Sequence, residues 1–347
     1  MTGPGRAALL IGATLAVAIL IAGAIYDARA AAAGWLIGFL FWMQIMLGSL
    51  ILVMIHRLTS GRWGELIASA VERSLAAMPW LILLAIPMLV AMPVLYPWVH
   101  HSGSIKSDVL SDYLNRPLFI GRTAIALIGW SIFARLMPRL RGSRGEILAG
   151  IGLVFVSLVV SSVSIDWYLS LEAPFTSSSF GASVAISSLV AALAWAALWA
   201  PMPDDDSAVG DVGALLLATV LGITYVDFMA VLVIWYGDLP REEAWFVARD
   251  PLLWRIVAWI AFVLGSLLPV LALVQSKFRS ERGPLRAVGI CTLIGIAFYD
   301  AYLIAPPAGA AALVTALLSI VGIGFALIGG AGLAAAGQAP QETLHVR

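Results

Sequence analysis

Residues 32–55 read AAGWLIGFLFWMQIMLGSLILVMI, 24 residues without a charged side chain. At 1.5 Å per residue, about 20 apolar residues cross the hydrocarbon core of a bilayer as a helix. Nine further runs of this kind lie at 7–25, 77–97, 117–136, 147–170, 180–201, 212–236, 252–275, 285–304 and 309–331. Backbone groups in lipid must be satisfied internally, and the alternation of a transmembrane β-strand is absent, so these runs predict helices. The expectation is an all-α polytopic membrane protein of about ten spans, with no soluble domain between them. The longest connections are about 20 residues, near 56–76 and 98–116.

Composition agrees. The chain is 61% hydrophobic and 12% charged, against about 25% charged for a soluble protein. Net charge is zero and no basic patch stands out, which argues against nucleic acid as a partner. A single cysteine, Cys291, excludes a disulfide or a cysteine-ligated cluster within the chain. None of His56, His100, His101 and His345 falls deep in an apolar run, so neither haem nor an iron–sulfur centre is expected, and no metal site either. The run 7–25 is longer than a signal-peptide core and is followed at once by another span, so it reads as a retained helix. No nucleotide-binding, metalloprotease or nucleophile-elbow motif opens a catalytic element.

Orientation follows from the basic residues of the connections. Thirteen of the 20 fall on the N-terminal side, among them Arg57, Arg62, Arg73, Arg139, Arg141 and Lys277; five fall on the other side, and Arg122 and Arg255 lie within spans. Both termini are therefore expected on the cytoplasmic face, in a bacterial inner membrane. Trp35, Trp80, Trp98, Trp167, Trp235, Trp245 and Trp254 lie near span ends, where an interfacial belt would place them. Gly61 and Gly64, flanking Arg62-Trp63, read as turn residues.

A faint parallel repeat runs through the chain. Arg116-Pro117-Leu118-Phe119-Ile120-Gly121-Arg122 opens the fourth span, and Arg249-Asp250-Pro251-Leu252-Leu253-Trp254-Arg255 opens the eighth. The fifth span ends Asp166-Trp167-Tyr168-Leu169, the ninth Asp300-Ala301-Tyr302-Leu303. The repeat predicts a single integral membrane domain, 1–347, built of two four-helix bundles, 32–170 and 180–304, with the first and last helices peripheral.

Charges inside spans cost about 2.5–3.5 kcal/mol each on insertion scales and point to function or to pairing. Arg122, Asp166, Asp227, Arg255 and Asp300 qualify, and the derived topology places all five in the outer half. Arg122–Asp166 and Arg255–Asp300 are the expected structural pairs. The functional reading is a polar pocket open to the outer face, with Asp227 the prime proton-exchanging group because the repeat supplies it no partner. Tyr225 is a further polar residue of that helix. His56 reads as interfacial.

Several segments resemble a known family. Ser164-Ile165-Asp166-Trp167-Tyr168-Leu169-Ser170-Leu171-Glu172 with Phe180-Gly181 is similar to a long motif of the second polysulfide-reductase-type (NrfD-like) membrane subunit of alternative complex III. His56-Arg57-Leu58-Thr59-Ser60-Gly61-Arg62-Trp63-Gly64, Tyr113-Leu114-Asn115-Arg116-Pro117-Leu118-Phe119 and Ile234-Trp235-Tyr236-Gly237-Asp238-Leu239-Pro240 fit the same family in order and spacing, over about residues 35–275. The resemblance implies a ten-helix subunit of a respiratory complex that oxidises quinol and passes electrons to a cytochrome c or terminal oxidase. It implies iron–sulfur and c-type cytochrome subunits and a second NrfD-like subunit as partners. This chain would supply a quinone-type pocket or a proton path through Asp166, Asp227, Asp300, Arg122, Arg255, Glu172 and Tyr225, with no redox centre of its own. Where the family commonly continues Glu-Pro-His-Trp, this chain has Glu172-Ala173-Pro174-Phe175, so the motif carries no proton-relay histidine here. The residues by themselves leave two other readings open: a secondary transporter with helices broken near Pro87, Pro93 or Pro269, and a scaffold whose charges only pair helices.

Overall fold

The computed structural model describes residues 25–100, 107–172, 175–201 and 207–336, with residues 12, 14–16, 18, 19, 21 and 23. The described residues form helices and no strand. The long ones are α1 (Ala28–Thr59), α2 (Arg62–Ala77), α3 (Arg116–Leu136), α4 (Gly142–Val163), α5 (Phe180–Trp199), α6 (Ser207–Gly237), α7 (Leu252–Phe262), α8 (Arg282–Ile304) and α9 (Ala311–Ala336). Seven spans are long and apolar enough to cross a membrane, eight if the bent pair of α2 with Trp80–Val90 is one span. The protein is thus an all-helical integral membrane protein. The first expected span, 7–25, lies mostly outside the described residues.

The quoted stretch becomes α1, and its lack of a polar face decides its position. A helix that is apolar all round is buried all round, and Leu36, Phe39, Leu40, Met43, Leu47 and Leu50 are fully enclosed. Asp27 caps its start, accepting from the Arg29 and Ala30 amides at 3.1 and 2.9 Å. Lipid offers no hydrophobic drive between helices, so small residues and hydrogen bonds fasten the neighbours to this central helix. A Cβ on Gly48 would meet the Ser188 carbonyl of α5 at 1.8 Å. The Trp42 indole donates to the Ile320 carbonyl of α9 at 2.8 Å. Around α1, α2 and α4 pack with α3 on one side; on the other, α5 packs with α6 and α8, and α8 with α7.

Three expectations change. The connection 56–76 is largely helix α2, which carries Arg62, Glu65, Glu72 and Arg73 on one face and buries Ile67, Ala70, Val71, Ser74 and Leu75 on the other; hydropathy averaged around the helix hides such a segment. Gly64 belongs to this helix, where its missing side chain admits the His56 ring, while Gly61 makes the turn at φ 120°. The span expected at 77–97 is broken into Trp80–Leu84, Ile86–Val90 and Met92–Leu95, and α2 meets Trp80–Val90 at 49°. Pro79, Pro87 and Pro93 remove amide donors at each break. Finally, Trp35, Trp98, Trp167, Trp245 and Trp254 are buried in the protein and do not form a lipid-facing belt; Trp235 does face outward.

Two spans end or bend through wide turns. α4 continues into a π-helical turn, Ser164–Tyr168, and a 3-10 turn, Leu169–Glu172. α7 continues through the π-helical turn Val263–Leu267 into the short helix Leu268–Leu273, where Pro269 lacks its amide donor. Such turns alter the facing of side chains and often lie at functional positions.

Candidate functional site

Asp166 lies in the first π-helical turn, which directs it inward; it is 1% exposed. Arg122, two turns into α3, meets it with a two-pronged contact, Nε to Oδ2 at 2.7 Å and Nη2 to Oδ1 at 2.8 Å. The same Nη2 donates to the Tyr113 carbonyl at 3.0 Å, and the guanidinium lies 3.8 Å above the Tyr113 ring. Burial, then the Asp166 charge, push the Tyr113 phenol above its usual range, so it remains neutral. The adjacent Trp167 indole donates to Thr123 at 3.1 Å. This clasp joins α3 to the end of α4, as the first expected pair required.

Its repeat counterpart does not form. α7 turns Trp254, Val257 and Ala261 inward, which leaves Arg255 on the outer face, 57% exposed and 4.0 Å from the exposed Asp250. Asp300 points the other way, toward α1, and is 1% exposed. There the Gln44 amide donates to both carboxylate oxygens, at 2.9 and 2.8 Å, and the Gln44 carbonyl accepts from Ser187 of α5 at 2.6 Å. Tyr168 stands 3.5 Å from the same amide. No cation partners Asp300 among the described residues. The expected outer cluster of two arginines and three aspartates is therefore three separate arrangements.

The third is a cleft of about 470 Å³ between α5, α6, α7 and α8. Its walls are chiefly apolar: Val190, Ile223, Phe228, Val231, Phe246, Ala258, Phe262 and Ile296. The polar groups on them are Asp227, Thr224, Ser187, Ser266, Tyr299 and Tyr302. Ser183 donates to Asp227 at 3.1 Å, and the Tyr299 hydroxyl reaches the same carboxyl. α7 and α8 touch at its floor, where a Cβ on Gly295 would fall 2.2 Å from the Gly265 nitrogen. The C-terminal half of α6 stands away from its neighbours: Tyr225, Phe228, Val231, Val233 and Trp235 are exposed. Tyr225, 64% exposed, thus faces away from the cleft that Asp227 lines.

Glu172 belongs to a fourth contact. It pairs with Arg249, which is 2% exposed and also donates to the carbonyls of Tyr302, Trp245 and Leu303 at 3.0–3.1 Å. The guanidinium stacks 3.4 Å above Trp245. The site also includes Arg249, Gln44, Ser183, Ser187 and Tyr299, none of them expected from the sequence. Gln44 had a signal: it is the one amide in the 24-residue apolar run, and such a group needs a partner helix. Arg249 had none, because loop arginines ordinarily face water.

Among the described residues no group of three or more His, Cys, Asp or Glu side chains could hold a metal ion. The sequence matches no protein-family model and none of the curated proteins.

Proposed function

We propose that the chain is a membrane subunit, without redox centres of its own, of a quinol-oxidising respiratory complex of the alternative complex III type. It belongs on this reading to the NrfD-like subunits, crosses a bacterial cytoplasmic membrane about ten times in two four-helix bundles, and keeps both termini in the cytoplasm. Its partners would be iron–sulfur and c-type cytochrome subunits and a second NrfD-like subunit.

The observation that carries the proposal is the cleft. A quinol pairs a flat apolar body with two hydroxyl groups, and pockets for such ligands combine apolar walls with a few placed polar groups. Here Asp227 and Tyr299 stand on a wall otherwise made of aliphatic and phenyl groups. The exposed outer half of α6 leaves the cleft approachable from lipid, where quinones dissolve. Oxidation of a quinol releases two electrons and two protons. The electrons pass to the partner subunits. Asp227 accepts one hydroxyl proton directly, as a carboxylate within reach of the reacting group can, and the second proton leaves to the aqueous phase. Ser187 and Gln44 link the same wall to Asp300, so a change of charge in the cleft is felt at a second buried carboxyl. Arg122–Asp166 and Arg249–Glu172 hold the helices around this centre.

The test is purification from the native membrane in mild detergent. Iron–sulfur and haem-bearing subunits with bound quinone support the proposal, and turnover should then fall about a hundredfold or more in Asp227→Asn, the scale of a lost general base. A solitary, colourless protein in repeated preparations would sink it. The π-helical turn and Pro269 beside the cleft favour a second reading, a secondary transporter with a broken helix at its site; solute uptake by the chain alone in liposomes would establish that one.

A further inference from the structure

A second cavity, of about 330 Å³, lies at the arginine-rich end of the molecule and takes no part in the proposed chemistry. One wall is the end of α1 and the turn after α3, with Leu52, Val53, His56, Arg57, Pro138 and Arg141. The facing wall is α2, with Trp63, Glu65, Ile67, Val71, Glu72 and Leu75. Glu65 and Glu72 are two helical turns apart and so share a face. The two cations thus stand on one side and the two carboxylates on the other, yet no arginine of the cavity comes within 4.0 Å of a carboxylate. Arg57 spends one amino group on the Met137 carbonyl at 3.1 Å and keeps its remaining donors free. His56 is held by the Gly61 carbonyl at 2.9 Å and by the edge of Trp63, so it shapes the wall. Leu52, Ile67, Val71 and Leu75, each 2–5% exposed, and Val53 form the apolar floor of the cavity between the two helices.

Opposed, unpaired charges across a gap call for a ligand that carries both signs, and an apolar floor beneath them suits the glycerol and first methylenes of a lipid. We propose that this cavity binds a zwitterionic aminophospholipid, its phosphate toward Arg57 and Arg141 and its primary ammonium toward Glu65 and Glu72. An ammonium with three N–H donors suits two carboxylates; a trimethylated headgroup has no donor to offer them. A purely anionic headgroup would satisfy the arginines and leave both carboxylates facing its charge. The site lies at the level where the arginine-rich end meets the headgroups of one leaflet, as basic pockets between membrane helices do.

The test is competition between lipids on the whole protein. The chain is reconstituted in nanodiscs of equal parts phosphatidylethanolamine, phosphatidylglycerol and phosphatidylcholine, and the lipid retained on gentle release is identified by native mass spectrometry. Phosphatidylethanolamine should be retained preferentially. Glu65→Gln with Glu72→Gln should lower its ratio to phosphatidylglycerol about tenfold, as loss of two exposed ionic contacts implies. Arg141→Gln should weaken retention of both. Equal retention of the three lipids by the unaltered protein would overturn the proposal, as would an unchanged ratio in the glutamine variant. The competition on the unaltered protein decides the matter even if a variant folds poorly. Saturation by free phosphoethanolamine at the concentration where the lipid saturates would show that the acyl chain contributes nothing and overturn the lipid assignment.

Discussion

Arg122–Asp166 and Arg249–Glu172 are alike in kind: each carboxylate meets a guanidinium that also binds backbone carbonyls. Removing one partner of a buried pair strands the other charge, at a cost of about 3–5 kcal/mol. Arg249→Gln and Asp166→Asn are therefore expected to lower the thermal midpoint strongly in detergent. Asp166→Asn with Arg122→Gln should cost less than the two single changes summed, since no charge is left alone. Arg255→Gln, on the outer face, should stay within about 0.5 kcal/mol. Equal effects from Arg249→Gln and Arg255→Gln would contradict the assigned burial. Gln44 poses a different case, because its amide serves both Asp300 and Ser187. Gln44→Leu should cost about 1–3 kcal/mol by leaving those two groups without their partner; Asp300→Asn, which can still accept from Gln44, should cost less. Thermal unfolding of the two variants side by side checks that order.

At the scale of elements, the contact of α7 with α8 shapes the cleft. Gly295 lies against the Gly265 backbone, and a side chain there must force the two helices apart. Gly295→Leu is expected to destabilise the protein by about 1–3 kcal/mol, as overpacking does, and to abolish labelling of Tyr299 and Phe262 by a photoreactive quinone analogue. Retained labelling with an unchanged midpoint would mean that the helices do not touch there. The π-helical turns at Ser164–Tyr168 and Val263–Leu267 belong to this scale also: each lies within an apolar run that reads as uninterrupted helix, and only the packed neighbours reveal that the helix widens.

For the molecule as a whole, the uneven spread of basic residues predicts one orientation. With Cys291 replaced by serine, Ser60→Cys should react with a membrane-impermeant maleimide only in inverted vesicles, and Thr176→Cys only in right-side-out cells. The opposite pattern would reverse the molecule and place the aminophospholipid site in the outer leaflet.

What the amino-acid sequence determined by itself was the solvent and the class of secondary structure: long runs without charge admit only helices in a bilayer, because lipid satisfies no backbone group. Seven of the expected spans stand as helices within a few residues of their expected ends. It also placed Arg122 and Asp166 at one depth, and the clasp forms there. It could not decide which face of each helix its neighbours cover. Arg255 and Asp300 share a depth as well as Arg122 and Asp166 do, yet the facing of α7 sends Arg255 outward and that of α8 sends Asp300 to Gln44. Tyr225 and Asp227, two residues apart on a regular helix, fall on different sides of α6, and only the packing decides which of them meets the cleft. The two cavities are likewise products of tertiary structure: each is the gap left where packed helices diverge, and no local pattern of residues records the width of a gap.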